Sequence, residues 1–428
     1  MHDAEALAPM KAPLSICAGL SFGALGFPLA FVALPLYVSL PAHYAREFGV
    51  PLAALGALLL GVRLLDALID PWIGRFSDRW LQRSNQQVLA LMWAAALLLA
   101  ASFAALFQPP VRAPTALLVW CAACLTLSYL AYSLLSVLHQ AWGARLGGNA
   151  LQQTRVVAWR EGLGLVGVLC ASVLASEAGM GLTAAALAGA LMLALVLLSR
   201  APRASGAAFD AASNTAQPFA EPGFVRLLAV FLLNGIAAAV PATLLLFFVR
   251  DRLQTPQAES LYLLSYFAAA ALSLPVWLRL VAAWGQARAW LAGMLLAVLC
   301  FAWAAALNAG DVLGFALVCV GSGAAVGADL AIPGAMLTRV IQQAGLAGRA
   351  EGAFFGWWNF ASKLNLALAA GLALPLLQWL GYRPGLQDAQ ALQALALAYC
   401  VLPCLLKLGA AVLLYLLWIR PASAQEPA

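Results

Sequence analysis

Charge is what this sequence lacks. Only 9% of its 428 residues are Asp, Glu, Lys or Arg, against roughly a quarter in a soluble domain, which excludes an ordinary water-soluble enzyme. Histidine is nearly missing: His2, His43 and His139 are scattered, so no imidazole-built metal centre is expected. The eight cysteines fall inside apolar runs and read as small hydrophobes. Cys121-x-x-Cys124 has no second Cys pair or histidine nearby in sequence, so it makes a poor metal or redox motif. No Lys/Arg stripe accompanies the net charge of +6, which excludes a nucleic-acid partner. Alternating ten-residue strands are missing too, and with them an outer-membrane barrel. Nor is there an ATP-binding domain. Gly162-Leu-Gly164-Leu-Val-Gly167 spells GxGxxG, but inside an apolar run rather than after a strand, where small residues for helix packing explain it.

What is present is hydrophobic surface: 64% of the residues, with a mean hydropathy of +0.91. A membrane-crossing helix needs about 20 mostly apolar residues. Runs of that kind stand near 13–42, 51–72, 86–107, 114–138, 155–176, 180–199, 223–249, 257–283, 286–308, 311–341, 350–380 and 390–419. The expected fold is therefore an all-α polytopic membrane protein of twelve transmembrane helices. The Pro/Ala/Ser-rich stretch 200–222 divides them six and six. This gives an N-terminal bundle (1–199), a linker (200–222) and a C-terminal bundle (223–428). Most Lys and Arg fall on the side of the N-terminus, so both termini and the linker are expected in the cytoplasm. The localisation expected is the inner cell membrane.

Within so apolar a chain the remaining charges are informative, because each one at mid-span costs about 2.5–3.5 kcal/mol on insertion scales. Arg63, Asp66 and Asp70 stand at i, i+3 and i+7 of the second run, on one helical stripe. Two carboxylates one turn apart repel, and either a shared proton or a small cation held by their oxygens relieves that. Pro71 follows and frees a backbone carbonyl of the same helix. Lys363 lies mid-span in the eleventh run, one turn after Asn359, where an unpaired ammonium deprotonates or demands a carboxylate. We expect it to face the Asp66/Asp70 stripe. Arg160 and Glu161 open the fifth run, Asp329 sits in the tenth, and Lys407 lies in the twelfth, where packing or a lipid contact is its simplest reading. Tyr129, Tyr132, Ser133 and Ser136, at i, i+3, i+4 and i+7, line one face of the fourth helix, with Trp357, Trp358 and Asn359 as a second wall. Between runs two and three, Gly74-Arg-Phe-Ser-Asp78-Arg79-Trp-Leu-Gln-Arg83 resembles the loop signature of the major facilitator superfamily, with a fainter echo in Gly285-Gln-Ala-Arg288.

Arg63-x-x-Asp66-Ala-x-x-Asp70-Pro71, the W-R-E-x-x-G-L-x-G run at Trp159 and the block from Gly327 through Gly348–Trp357 to Lys363 resemble the glycoside–pentoside–hexuronide:cation symporters, the melibiose-carrier family within that superfamily. The resemblance implies cation-coupled symport of a small solute, a sugar or glycoside, by alternating access, with H+ or Na+ as coupling ion and no other cofactor. A related branch carries lysolipids, so an amphiphile is the alternative cargo. The resemblance further implies cation binding by Asp66 and Asp70 with Ser133 close by, Lys363 as their charged neighbour, and solute contacts from Arg160 and Tyr132. The residues themselves add Arg63 as a charge partner, Tyr129, Ser136, Trp357, Trp358, Asn359 and Asp329 as candidate solute contacts, and Gly74, Asp78, Arg79 and Arg83 as a gate loop. Three departures stand out. Pro28 and Ser136 occupy positions where the family's sugar carriers place acids, and Ile69 replaces an Asn, which tilts the ion towards H+. Leu337–Gln343 replaces an acidic run. The partners expected are the solute, the coupling cation and the bilayer, with the protein working as a monomer and not as an enzyme.

Overall fold

The computed structural model describes residues 14–177, 179–202, 217–382 and 388–423. Most of the expected linker, and both extreme termini, lie outside the described residues. All regular structure among the described residues is helical. We number the long helices α1 (Ile16–Leu34), α2 (Leu52–Leu81), α3 (Asn85–Phe107), α4 (Pro114–Arg145), α5 (Ala150–Glu177) and α6 (Gly179–Ser199). After the linker come α7 (Pro222–Phe247), α8 (Glu259–Trp284), α9 (Gln286–Ala304), α10 (Val312–Gln343), α11 (Glu351–Trp379) and α12 (Gln390–Ile419).

Eleven of these are long and apolar enough to cross a membrane. The twelfth, α2, has 30 residues and carries the charges singled out above. Two boundaries differ from expectation. The first run is not one rod: α1 is interrupted near Ala24, and a π-helical turn at Pro35–Ser39 precedes a further helix, Leu40–Phe48. Gly74, Asp78 and Arg79, expected in a loop, are helical, and only Arg83 lies in the turn after α2. The helix continues because Arg, Phe, Trp and Leu in this stretch are acceptable helix residues and no proline follows Pro71. Between α8 and α9 the connection is a single residue, Gly285, at φ 80°, a backbone state glycine adopts without strain.

The described residues form two compact units. One comprises Met1–Ala220 with Thr338–Phe360, the other Glu221–Leu337 with Ala361–Ala428. In the first, α1 packs on α5, α2 on α4, and α3 on both α4 and α6. Glycines set the α1–α5 distance: a Cβ on Gly23 would stand 2.7 Å from the Trp159 carbonyl oxygen, and one on Gly167 would overlap the carbonyl of Phe27. The GxGxxG run is thus a packing surface. In the second unit α12 packs on α7 and α9, and α8 on α9. Its aromatic centre has Phe248 stacked on Tyr399 at 4.1 Å and Tyr262 edge-on to Phe315 at 4.8 Å.

Candidate transport site

α2 turns its charged stripe inward within the first unit. Asp66 is 8% exposed and Asp70 fully buried, while Leu64, Leu65 and Leu68 stand on the exposed side. The period of 3.6 residues thus separates a polar stripe from an apolar one. On α4, Ser133 is buried, and its Oγ donates to Asp66 Oδ1 at 2.9 Å. Buried Tyr129 joins Asp66, Ile69 and Thr126 around a cavity of about 50 Å3. That is room for a water or two, each occupying about 30 Å3, or for a small ion. Arg63 and Tyr132 are half-buried.

One turn further along α4 lies a second polar cluster, centred on a residue the sequence reading passed over. With its amide oriented to satisfy both ends, Gln140 Oε1 accepts from Arg160 Nη2 at 2.8 Å and from Ser136 Oγ at 3.2 Å, and its Nε2 donates to Asn359 Oδ1 at 3.2 Å. Arg160 also pairs with Glu161 at 3.1 Å. The structure therefore joins Ser136, Arg160 and Asn359, three expected solute residues, through Gln140. Position signals it: Gln140 stands at i+4 from Ser136 and continues the face that begins at Tyr129. Trp358 is buried, and Trp357 meets Phe219 edge-on at 4.8 Å.

At the Arg83 end of α2 the expected gate residues meet the start of α11. Asp78 accepts from the backbone N–H of Gly352 (2.6 Å) and Ala353 (2.8 Å), donors left unsatisfied by the first turn of a helix. Arg145 Nε donates to Glu351 Oε2 at 3.1 Å, and its Nη1 to the Leu81 carbonyl at 2.6 Å. Gly74 and Gly352 touch: a Cβ on either would overlap the carbonyl oxygen of the other. Asp78 lies past the roughly 20 residues of α2 that cross hydrocarbon. Burial, and next the Glu351 carboxylate, push its carboxyl up to about 7, while the two backbone donors and Arg145 oppose that rise. Arg79 is exposed, and Arg83 lies over the Trp80 ring at 4.3 Å.

The other charges singled out within the expected spans, Asp329, Lys363 and Lys407, belong to the second unit. Lys363 is half-buried on α11. Asp329 is the centre of its own network: Oδ1 accepts from Asn234 Nδ2 (3.0 Å) and Trp290 Nε1 (2.8 Å), and Oδ2 pairs with Lys407 Nζ (2.8 Å). Lys407 thus engages a carboxylate rather than lipid.

The sequence profile described as MFS/sugar transport protein matches residues 19–420. The chain belongs to this family, within the major facilitator superfamily. No curated protein matches it. Among solved structures it is similar to a bacterial homologue of the iron transporter ferroportin in the outward-facing state, with 17% identity, a TM-score of 0.69, and coverage of 93% of this chain and 100% of that one. The same protein with soaked iron gives 16% identity, a TM-score of 0.68, and coverage of 94% and 98%. At such identities the likeness is one of fold. This facilitator is a multi-pass membrane protein with a transporter's architecture.

Proposed function

We propose that the protein is a secondary active transporter that couples H+ or Na+ to uptake of a small polyhydroxylated solute, a sugar or glycoside. The observation that carries this reading is the buried carboxylate pair of α2, with Ser133 hydrogen-bonded to Asp66. Two acids one turn apart in a membrane helix are costly when charged, so a bound proton or cation lowers the cost of the loaded state. The cavity beside Asp66 has the size for an ion or water. Gln140, Arg160, Ser136 and Asn359 supply donors and acceptors suited to solute hydroxyls, and Tyr132 and Trp357 supply ring faces. We assign Arg63, on the same stripe of α2, as the positive partner that loading releases.

Reconstituted protein is tested with labelled glycosides and with lysophosphatidylcholine under an imposed Na+ or pH gradient. Gradient-driven sugar accumulation, lost in both Asp66→Asn and Asp70→Asn, is the expected result. Full accumulation by both variants refutes the coupling site, and uptake of the lysolipid alone replaces the sugar with an amphiphile.

A further inference from the structure

The second unit has a partly open cavity of about 300 Å3 between α7, α8, α9, α10 and α12. None of its lining residues belongs to the transport site proposed above. Its walls are mostly apolar, with rings from Tyr266, Phe267, Phe301, Phe315 and Tyr399. The volume is about twice the 150 Å3 that accommodates benzene in an engineered apolar cavity, and it reaches the lower end of small-molecule sites.

One charged side chain, Lys407, borders the cavity. Its ammonium carries three N–H donors, and one is directed at Asp329 Oδ2. Asp329 is further fixed by Asn234 and Trp290, so the pair is anchored from α7, α9, α10 and α12. This arrangement selects the ligand's charge. The Lys407–Asp329 pair is already neutral, so an added anion or cation leaves a net charge in a poorly solvated space, which is costly. A neutral compound with one acceptor oxygen takes an ammonium N–H without upsetting that balance. The ring-lined remainder suits aromatic groups.

We propose that this cavity is a second binding site, for a small uncharged aromatic compound bearing one hydrogen-bond-accepting oxygen. The rings lie among Phe267, Phe301 and Tyr399, and the oxygen accepts from Lys407 Nζ.

Benzophenone has this chemistry and is itself a photocrosslinker. Purified full-length protein is irradiated with increasing benzophenone, and the adducts are mapped by mass spectrometry. Saturable labelling of α8, α9 and α12 peptides at the cavity is expected. Ala238→Phe, which fills the cavity and leaves the ion pair intact, abolishes the labelling while the Tm stays within a few degrees. The double variant Lys407→Met/Asp329→Asn removes both charges together, avoiding a lone buried charge, and weakens binding about tenfold, as expected for loss of a charged donor. Diphenylmethane, which lacks the oxygen, lowers the benzophenone labelling at least tenfold less well than phenyl benzoate, an uncharged aryl ester that keeps it, and the anion diphenylacetate also competes poorly. Labelling that does not saturate, or that survives Ala238→Phe, overturns the site. Competition by methyl palmitate but not by aryl ketones makes it a lipid-tail crevice instead and overturns the ligand class. Equal affinity in the double variant overturns the role of Lys407.

Discussion

Ser133 Oγ donates to Asp66 Oδ1 at 2.9 Å, joining α4 to the charged stripe of α2. Both side chains are buried, so the hydroxyl helps satisfy a carboxylate that water reaches poorly. In the proposed coupling these same oxygen atoms are the ones that would complete an ion's coordination.

Ser133→Ala is therefore expected to act on the ion and not on the solute. Loss of one hydrogen bond to a charged group costs the ion-free state about 1.5–3 kcal/mol, so with a proton as the ion the concentration for half-maximal uptake should fall by roughly tenfold or more, whereas with Na+ the loss of the Ser133 oxygen as a ligand should raise it. The maximal rate and the solute KM at saturating ion should change little. Uptake titrated against Na+ and pH checks this, and an unchanged ion dependence removes Ser133 from the site.

Gln140 gives the complementary prediction. Its amide connects Ser136, Arg160 and Asn359, and Gln140→Leu leaves the guanidinium of Arg160 without that acceptor. Solute KM should rise at least tenfold while the ion dependence measured on residual uptake is retained. A variant with normal KM would reduce Gln140 to a packing residue.

The twelve helices, the acid pair and the superfamily were legible because lipid imposes a harsh compositional rule: any polar residue in a spanning run stands out against its neighbours. Long-range partners follow no such rule. Asp329 and Lys407 are 78 residues apart, and no periodicity on either helix announces their pairing. Asp78 illustrates a different blindness. Its residue type and position marked a gate, but its contact is with backbone N–H groups of Gly352 and Ala353, and backbone donors have no sequence signature beyond a helix start.

The Asp329–Lys407 pair should be a large stabiliser in the sense that breaking it is costly. Asp329→Ala leaves a buried ammonium and two donors, from Asn234 and Trp290, without their acceptor. A loss of about 3–5 kcal/mol is expected, seen as a marked fall in Tm of the purified protein. Lys407→Met/Asp329→Asn should recover most of it, because no charge remains unpaired. If the single and double variants melt alike, the pair contributes no more than its separate members.

Asp78 makes stability depend on pH. Its carboxyl rises to about 7 where α2 meets α11, against about 3.9 in an unfolded chain. Between those values the folded protein holds a proton that the unfolded chain has released. The contribution is thus present in full below about pH 4, declines as pH climbs towards 7, and is constant above. The Tm of wild type should fall between pH 5 and pH 7.5 more steeply than that of Asp78→Asn, which cannot titrate there. Parallel profiles would mean that the carboxyl keeps an ordinary affinity for protons.

The α2–α11 contact supplies the last test, because two glycines in one helix meet different surroundings. A Cβ on Gly74 would overlap the Gly352 carbonyl oxygen, whereas nothing lies within 4 Å of a Cβ built on Gly56. Both residues lie inside α2, where alanine is favoured over glycine by about 1 kcal/mol. Gly56→Ala should accordingly leave transport intact and raise Tm slightly. Gly74→Ala meets rigid backbone, so the helices must separate by several tenths of an ångström, lengthening the Asp78 hydrogen bonds to Gly352 and Ala353. Transport should fall at least tenfold, and the pH dependence of Tm assigned to Asp78 should flatten in the same variant. That second readout matters, because a merely destabilised protein would lose activity without altering the proton linkage.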